Sequence, residues 1–259
     1  MLWFKRNSAG EVVTRARLVA RGYEEEDDIP SDSPTLDQIN LKLIIMIAQA
    51  ENMKVTTADV KAAFLQGLPL TERTVFVIPP PEANVPKGRV WRLRVSLYGL
   101  DDASLRFYWK VREVMKKLSF KQSRFDPALF YDKDKKTGKL RGLIGTHVDD
   151  FLIAGNDEWR ENIISNIKTE FLLGTIEEKD FLYCGHRIRQ FGDRMTLDRD
   201  EFAEKVVPLI INPARRRQGD DKVTGKERQA IRSYAGKLGW LGRTTRPELL
   251  VSQIKASTA

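Results

Sequence analysis

Two kinds of hydrophobic periodicity run along the 259-residue chain. Within Leu36–Asn52 the apolar residues Ile39, Leu43, Ile44 and Ile47 recur three or four positions apart, the spacing of one face of an amphipathic helix. The predicted helices are Leu36–Asn52 (capped by Asp37 or Thr35), Ala62–Gln66 (a short turn closed by Gly67), Ala103–Leu118, Glu158–Phe171 and a more loosely organised region from Val206 onward.

Shorter stretches alternate apolar and polar residues, or are apolar throughout, and these predict strands. The predicted strands are Leu2–Lys5, Arg15–Ala20, Val55–Val60, Thr74–Ile78, Val90–Leu97, Ala128–Tyr131, Leu140–Val148, Phe151–Ala154, Phe181–Gln190 and Arg194–Leu197. Helices and strands follow one another without regular strand–helix–strand alternation, so the sequence predicts an α+β fold. The length suits one large domain or two tightly joined subdomains.

The composition is that of a folded protein, since 41% of the residues are hydrophobic and 31% are charged. The longest apolar run, Leu43–Ala48, is far shorter than the roughly 20 residues that span a bilayer. With one cysteine and two histidines, we expect neither an intrachain disulfide nor a Cys/His zinc cluster. We therefore expect a soluble intracellular protein without a membrane partner.

The formal net charge is +8 and the isoelectric point is near 9.5. Such a balance is typical of proteins that follow a phosphate backbone, because each neutralised phosphate releases counterions. Many basic proteins of this size bind no nucleic acid, so charge alone does not identify the partner.

An acidic pair, Asp149-Asp150, lies where the apolar strand Leu140–Val148 turns into the strand Phe151–Ala154. Successive side chains of a strand point to opposite faces, so adjacent acids share one site only if the backbone turns between them. A bound Mg²⁺ would supply the missing positive charge, since it prefers carboxylates and substrate phosphates as ligands. The alternative is an ordinary solvated hairpin turn.

A third acid, Asp59, lies near the end of the predicted strand Val55–Val60. Two carboxylate sites at strand ends, distant in sequence, are what a two-metal phosphoryl-transfer centre requires. Together with Asp149 and Asp150, this residue makes a metal-dependent site the leading interpretation.

The segments around these acids resemble the two metal-binding motifs of copia-type retrotransposon reverse transcriptases. The first is Asp59–Gly67, and the second is Thr146–Phe151. Further blocks resemble the same family, in family order over nearly the whole chain: Ala16–Tyr23, Ser31–Thr35, Val75–Pro80, Leu97–Leu100, Phe125–Phe130, Tyr234–Leu241 and Thr245–Glu248.

This resemblance implies a right-hand polymerase fold, with fingers and an antiparallel-sheet palm in residues 1–190 and a partial thumb or connection-like segment in residues 191–259. It also implies that Asp59, Asp149 and Asp150 hold two Mg²⁺ ions, with Mn²⁺ as a substitute. The implied partners are an RNA or DNA template with its primer, deoxynucleoside triphosphates, and the RNase H and integrase domains of a parent polyprotein. The implied location is cytoplasmic virus-like particles with a nuclear stage.

The resemblance assigns further roles to particular residues. Phe64 falls where the family places an aromatic ring against the sugar of the incoming nucleotide, where it would clash with a 2′-OH; the alternative is core packing. Arg17 and Arg21 are candidates for binding the triphosphate, with ordinary surface charge as the alternative. The segment containing Tyr183, Cys184 and Gly185 resembles the hairpin that holds the primer end.

Two departures from the family pattern stand out. His147 replaces the tyrosine that commonly precedes Val-Asp-Asp, and we interpret it as a core or primer-facing residue rather than a catalytic acid. Leu105 occupies the position where the family usually has an arginine, and Arg106 follows one residue later. A shift of one residue rotates a side chain by about 100° around a helix, which puts template and nucleotide contacts in doubt.

Three functions compete. The leading one is an RNA-directed DNA polymerase that transfers nucleotides to a primer 3′-OH with the aid of two metal ions. The second is a catalytically impaired, retrotransposon-derived nucleic-acid-binding module. The third is another palm-type metal enzyme, a nuclease or cyclase, which the fingers-like and primer-grip-like blocks disfavour.

Overall fold

A computed structural model describes residues 2–6, 11–25, 29–210, 213–217 and 223–258. Contacts divide the chain into two compact units, residues 1–177 and 178–259, so the division precedes the boundary expected near residue 190. No helix in the described part of the chain is both long and apolar enough to cross a membrane.

The strands up to the unit boundary are β1 (Leu2–Arg6), β2 (Val12–Ala16), β3 (Lys54–Val60), β4 (Phe76–Val77), β5 (Trp91–Arg92), β6 (Lys121–Gln122), β7 (Leu129–Lys133), β8 (Leu140–His147), β9 (Asp150–Gly155) and β10 (Leu173–Glu178). The helices are α1 (Gln38–Ala50), α2 (Ala103–Lys117) and α3 (Asp157–Glu170), and a short 3₁₀ helix spans Ala63–Gln66. Asp37 caps α1, because its side chain accepts a hydrogen bond from the Ile39 backbone N–H at 2.7 Å.

Six strands form the central sheet, in the order β10-β3-β9-β8-β7-β6. The pairs β3–β9, β9–β8, β8–β7 and β7–β6 are antiparallel. Two small hairpins, β1–β2 and β4–β5, stand outside this sheet. The mixed helix and sheet content confirms the predicted α+β class.

Helices cover both faces of the central sheet. On one face Phe107 of α2 and Ile167 of α3 share a buried core with Ala58 and Val60 of β3. On the other face Ile44 of α1 is fully buried over β8. Because side chains alternate along a strand, the residue between Ala58 and Val60 points away from the core that α2 and α3 cover.

The second unit contains β11 (Asp180–Tyr183), β12 (His186–Phe191), β13 (Arg194–Asp198), α4 (Asp200–Ala203), α5 (Pro213–Arg216), α6 (Gly225–Thr244) and α7 (Leu250–Thr258). The three strands form one antiparallel sheet. A reciprocal capping box starts α6: the Thr224 hydroxyl accepts from the Glu227 N–H, and the Glu227 carboxylate accepts from the Thr224 N–H.

Several sequence predictions were wrong in their boundaries. The predicted strand Phe181–Gln190 is two strands, since the chain reverses at Cys184-Gly185. Only Trp91–Arg92 of the predicted strand Val90–Leu97 pairs as a strand. The segment that follows Val206 is not helical over residues 206–210, and β10 was not predicted.

Candidate active site

The two adjacent aspartates lie on the hairpin between β8 and β9. His147 pairs with Asp150, so Val148 and Asp149 form a two-residue loop. Val148 has a φ of 55° whereas Asp149 is not in the left-handed region, the pattern of a type II′ turn. A β-branched residue in this conformation carries strain of about 1–3 kcal/mol. The tight loop separates the two acids, with Asp149 in the turn and Asp150 at the start of β9.

Asp59 reaches the same place from the neighbouring strand. It is directly opposite Asp150 in the antiparallel pair β3–β9, and the Val60 N–H donates to the Asp149 carbonyl at 2.9 Å. Alternation along β3 keeps Asp59 out of the apolar core that contains Ala58 and Val60. The fold therefore brings Asp59 together with an acidic pair that lies about ninety residues later in the sequence.

The three carboxylates influence one another. Burial raises the pKa of Asp59, the negative charge of Asp149 raises it further, and Lys61 opposes the change. Burial, followed by Asp149 and Asp59, raises the pKa of Asp150 to about 6. Burial and neighbouring negative charge therefore both disfavour the ionised form of these carboxylates, and a bound metal ion would offset that effect.

The donor set suits a hard divalent cation, although it is not a complete cage. In the described residues no group of three or more His, Cys, Asp or Glu side chains is arranged to hold a metal ion. Mg²⁺ is usually bound by one or two carboxylates together with substrate phosphates and water. The negative charge of Asp149, which raises the pKa of Asp59, fits that kind of open site.

Tyr98 lies beside the aspartates, and the sequence analysis did not single it out. Its ring centroid is 4.8 Å from that of Phe64, and the Arg17 guanidinium carbon is 4.4 Å from the Tyr98 ring centroid. Burial raises the pKa of Tyr98; Arg17 opposes this change, and the charges of Asp149 and Asp59 add to it. The phenol therefore stays protonated at neutral pH.

Close backbone packing holds the segment before Arg21 against Tyr98. The Ala20 N–H donates to the Tyr98 carbonyl at 2.7 Å. A Cβ on Gly99, whose φ is +93°, would lie 2.1 Å from the Ala20 carbonyl oxygen, and one on Gly22 would lie 1.9 Å from the Gly99 oxygen. Only glycine at both positions permits this approach of the two backbone segments.

The candidate nucleotide-binding residues are divided by the structure. Phe64 is partly buried against the core and also contacts Tyr98, so it joins the aspartate region. Arg17 joins it through the same tyrosine. Arg21 is exposed and paired with Glu24 at 3.1 Å. Together with Phe76 and Trp91, Arg21 lines a cavity of about 520 Å³. None of the three aspartates lines this cavity.

The two departures from the family pattern have clear environments. His147 is half-buried, and burial lowers its pKa despite the opposing charge of Asp149, so the imidazole is neutral at physiological pH. Leu105 is buried. Arg106 is buried as well, and its guanidinium donates to Asp102 Oδ2 at 2.6 Å, to the Pro69 carbonyl at 3.1 Å and to Glu72 Oε2 at 3.1 Å. This guanidinium is engaged inside the protein.

The candidate primer-contact residues belong to the second unit. Tyr183 is buried, and Cys184 and Gly185 form the two-residue loop between β11 and β12. Their φ values are 48° and 74°, the pattern of a type I′ hairpin turn. The buried Arg199 donates to the Cys184 carbonyl at 3.3 Å and stacks over Trp240 at 3.9 Å, so this turn is tied to α6.

The family model of "Reverse transcriptase (RNA-dependent DNA polymerase)" matches residues 2–210. The chain belongs to the reverse transcriptase family. A tobacco (Nicotiana tabacum) relative, the retrovirus-related Pol polyprotein from transposon TNT 1-94, is 31% identical over 74% of this chain and 15% of its own length. The Arabidopsis thaliana polyprotein from transposon RE1 is 32% identical over 67% of this chain and 12% of its own length. These relatives confirm the copia-type resemblance, and the chain spans only a small part of each.

A solved structure supports the fold. The foamy viral protease-reverse transcriptase in complex with double-stranded DNA matches 100% of this chain and 39% of its own chain, with a TM-score of 0.54 and 13% identity. At this identity the match concerns the fold alone, and it confirms the predicted polymerase fold.

Proposed function

We propose that this chain is the polymerase part of a retrotransposon Pol polyprotein, and that it extends a primer with deoxynucleotides on an RNA template. The proposal rests mainly on one observation: Asp59 on β3 and Asp149 in the β8–β9 turn lie side by side in a chain of the reverse transcriptase family. Nucleotidyl transfer of this kind depends on positioning and on charge stabilisation more than on covalent chemistry.

Asp59 and Asp149 are the residues that would hold the divalent ions, with Asp150 behind them. Bound there, Mg²⁺ would neutralise the triphosphate and align the primer 3′-OH with the α-phosphate. The raised pKa of Asp59 and of Asp150 supports this assignment, because burial and neighbouring carboxylates disfavour the charged form of both groups and a bound cation would offset that effect. Mn²⁺ is an acceptable substitute for the same oxygen ligands.

Phe64, Tyr98 and Arg17 form the part of the site that would receive the incoming deoxynucleoside triphosphate. The Phe64 and Tyr98 rings contact each other at an angle of 48°, and the Arg17 guanidinium lies over the Tyr98 ring, so the three side chains form an aromatic wall with a positive charge at one side. A wall of this kind suits a sugar ring, and the guanidinium suits a phosphate oxygen. Arg21 forms an exposed ion pair with Glu24, which it would have to exchange for a phosphate oxygen in order to bind the triphosphate.

The net charge of +8 supports a nucleic-acid partner, an RNA or DNA template with its primer. We assign the turn at Cys184-Gly185, with Tyr183, to the primer end. The parent polyprotein would supply RNase H and integrase domains. We propose that primer extension takes place in cytoplasmic virus-like particles, with a nuclear stage afterwards.

A primer-extension assay tests the proposal directly. The chain is incubated with a poly(rA) template, an oligo(dT) primer, dTTP and Mg²⁺, and the products are separated by length. We expect extension on poly(rA) that EDTA abolishes. Salt-sensitive binding of the primer-template without any extension, in Mg²⁺ and in Mn²⁺, would overturn the enzymatic proposal.

That second result would favour the alternative function, a nucleic-acid-binding module that has lost synthesis. One observation speaks for it: Leu105 is buried, and the neighbouring Arg106 is engaged with Asp102, Glu72 and Pro69. Neither side chain offers a cation to a template or a nucleotide. The binding module would keep a steep dependence of affinity on salt concentration, since phosphate contacts carry that dependence.

A further inference from the structure

We infer that Gly174 is a positioning residue for Asp59, and the inference rests on the proposed metal-dependent function of that aspartate. Gly174 lies on β10, the edge strand of the central sheet and the neighbour of β3. An ideal Cβ at position 174 would lie 2.3 Å from Asp59 Oδ2, 3.4 Å from Asp59 Cγ and 3.3 Å from Lys61 Cγ. The carboxylate of Asp59 therefore occupies the space that any other side chain would need.

Glycine is required at position 174 because a Cβ would collide with the Asp59 carboxylate, and not because of the backbone conformation. The φ angle of Gly174 lies outside the left-handed region, so every L-residue can adopt its conformation. A contact below 3.0 Å is one that real Cβ atoms essentially never make. A substitution must therefore move either the strand or the carboxylate.

The strand is the less mobile of the two. Just before Gly174, the Leu172 carbonyl accepts from the Lys61 N–H at 2.9 Å and from Gln66 Nε2 at 3.3 Å. The Leu172 N–H in turn donates to Gln66 Oε1 at 2.7 Å. Asp59, by contrast, turns about two side-chain bonds. We therefore expect Gly174→Ala to leave the fold intact and to displace the carboxylate.

A displaced Asp59 carboxylate changes its position relative to Asp149, whose carbonyl accepts a hydrogen bond from the N–H of Val60, the residue after Asp59. A metal site built on these two acids then loses one ligand from its position. Misplacement of a catalytic group by 1 Å can lower a rate on the order of 100-fold. Gly174 would act in this way without touching metal or substrate.

The test compares wild type, Gly174→Ala and a matched control, Gly142→Ala. A Cβ at Gly142 would also lie 2.3 Å from a side-chain atom, but that atom belongs to the Trp159 ring. Mn²⁺ binding to the free protein is measured by electron paramagnetic resonance, stability by thermal unfolding, and primer extension as a function of Mg²⁺ concentration.

We expect Gly174→Ala to keep the wild-type circular dichroism spectrum and to weaken Mn²⁺ binding on the order of tenfold, with a matching rise in the Mg²⁺ needed for half-maximal extension. Gly142→Ala should lower the unfolding temperature and leave Mn²⁺ binding unchanged. Wild-type Mn²⁺ binding and Mg²⁺ dependence in a folded Gly174→Ala protein would overturn the inference, as would a wild-type protein that binds no Mn²⁺.

If Gly174→Ala does not fold, the double variant Asp59→Ala/Gly174→Ala decides. Removing the carboxylate removes the collision, so the double variant should fold, and its failure to fold would overturn the inference. The two proposals also fail separately. A wild type that binds Mn²⁺ but extends no primer, with weaker binding in Gly174→Ala, overturns the polymerase proposal and supports the positioning role.

Discussion

Asp59 and Asp150 are direct cross-strand partners in the antiparallel pair β3–β9. Like charges in this arrangement destabilise a sheet, and Asp149 adds a third negative charge in the adjoining turn. The Asp59–Asp150 pair should therefore lower the free energy of unfolding of the protein. A positive ion bound between the acids would offset that cost.

The cost at Asp150 should be visible in the pH dependence of stability. Its pKa is raised from 3.8 to about 6, so between these values the unfolded chain is ionised while the folded protein keeps the proton. The free energy of unfolding therefore falls as pH rises through this window. In EDTA at pH 7.5, the Asp150→Asn substitution should raise the free energy of unfolding by about 1–2 kcal/mol, after allowance for solvent screening. At pH 3.5 the same substitution should leave the free energy of unfolding almost unchanged.

Urea unfolding of both proteins at the two pH values measures this difference. Asp134→Asn serves as the control, because Asp134 is an exposed turn residue whose pKa is lowered by hydrogen bonds from Thr137. That substitution should be destabilising at pH 7.5. An Asp150→Asn protein that is less stable than wild type at pH 7.5 would contradict the repulsion described above.

Tyr98 should act through its ring. Tyr98→Ala removes the ring that Phe64 and Arg17 contact, so both side chains should lose their positions. The KM for dTTP should therefore rise, by about tenfold for each 1.4 kcal/mol of nucleotide binding that is lost. Tyr98→Phe keeps both contacts and should stay within about twofold of wild type. Steady-state kinetics with the three proteins measures the effect. Equal losses in Phe and Ala variants would assign the role to the hydroxyl instead.

Phe64 should contribute to sugar discrimination. Its removal opens space beside Tyr98 for a 2′-OH, so Phe64→Ala should lower the preference for dTTP over UTP by at least about tenfold. Single-nucleotide incorporation of each substrate measures the ratio. Leu65→Ala, at an exposed neighbouring position, should leave the ratio unchanged. If the Phe64→Ala protein prefers dTTP over UTP as strongly as wild type does, Phe64 contributes to packing only.

Arg106 should matter for stability. Asp102 is buried and accepts from both Arg106 and Arg73, so Arg106→Met would leave this carboxylate with one partner. We expect a loss of about 3 kcal/mol in the free energy of unfolding. Glu72→Gln removes only the exposed acid from the same guanidinium and should cost less than about 1 kcal/mol. Equal costs in the two variants would contradict the buried network.

The sequence predicted the core of the fold because its strongest patterns are local. Leu140–Val148 and Phe151–Ala154 are apolar and interrupted by two acids, which indicated the hairpin that holds Asp149. The helix at Leu36–Asn52 followed in the same way from its spacing, and Asp37 was one of its two proposed caps.

The β11–β12 turn, the strand β10 and the position of Tyr98 could not be predicted, because they depend on contacts between segments that are distant in sequence or on weak local signals. Phe181–Cys184 is a continuous apolar run and only Gly185 marks the reversal, so the turn between β11 and β12 was missed within one predicted strand. Most residues of β10 are exposed or only partly buried, and the strand is held by pairing at the sheet edge and by Leu173 and Ile176, which pack into the core. Tyr98 belongs to a block that resembles the family, but its position beside Asp59 and Asp149 depends on the tertiary fold.

The most direct test of the central claim is the divalent-ion dependence of primer extension in Asp59→Asn and Asp149→Asn proteins. Both substitutions preserve shape and remove a charge from the proposed metal site, and we expect each to reduce extension at least on the order of 1,000-fold at every Mg²⁺ concentration. Asp157→Asn, at an exposed residue that pairs with Lys54, should extend like wild type. Extension at the wild-type rate in either Asp59→Asn or Asp149→Asn would contradict the account.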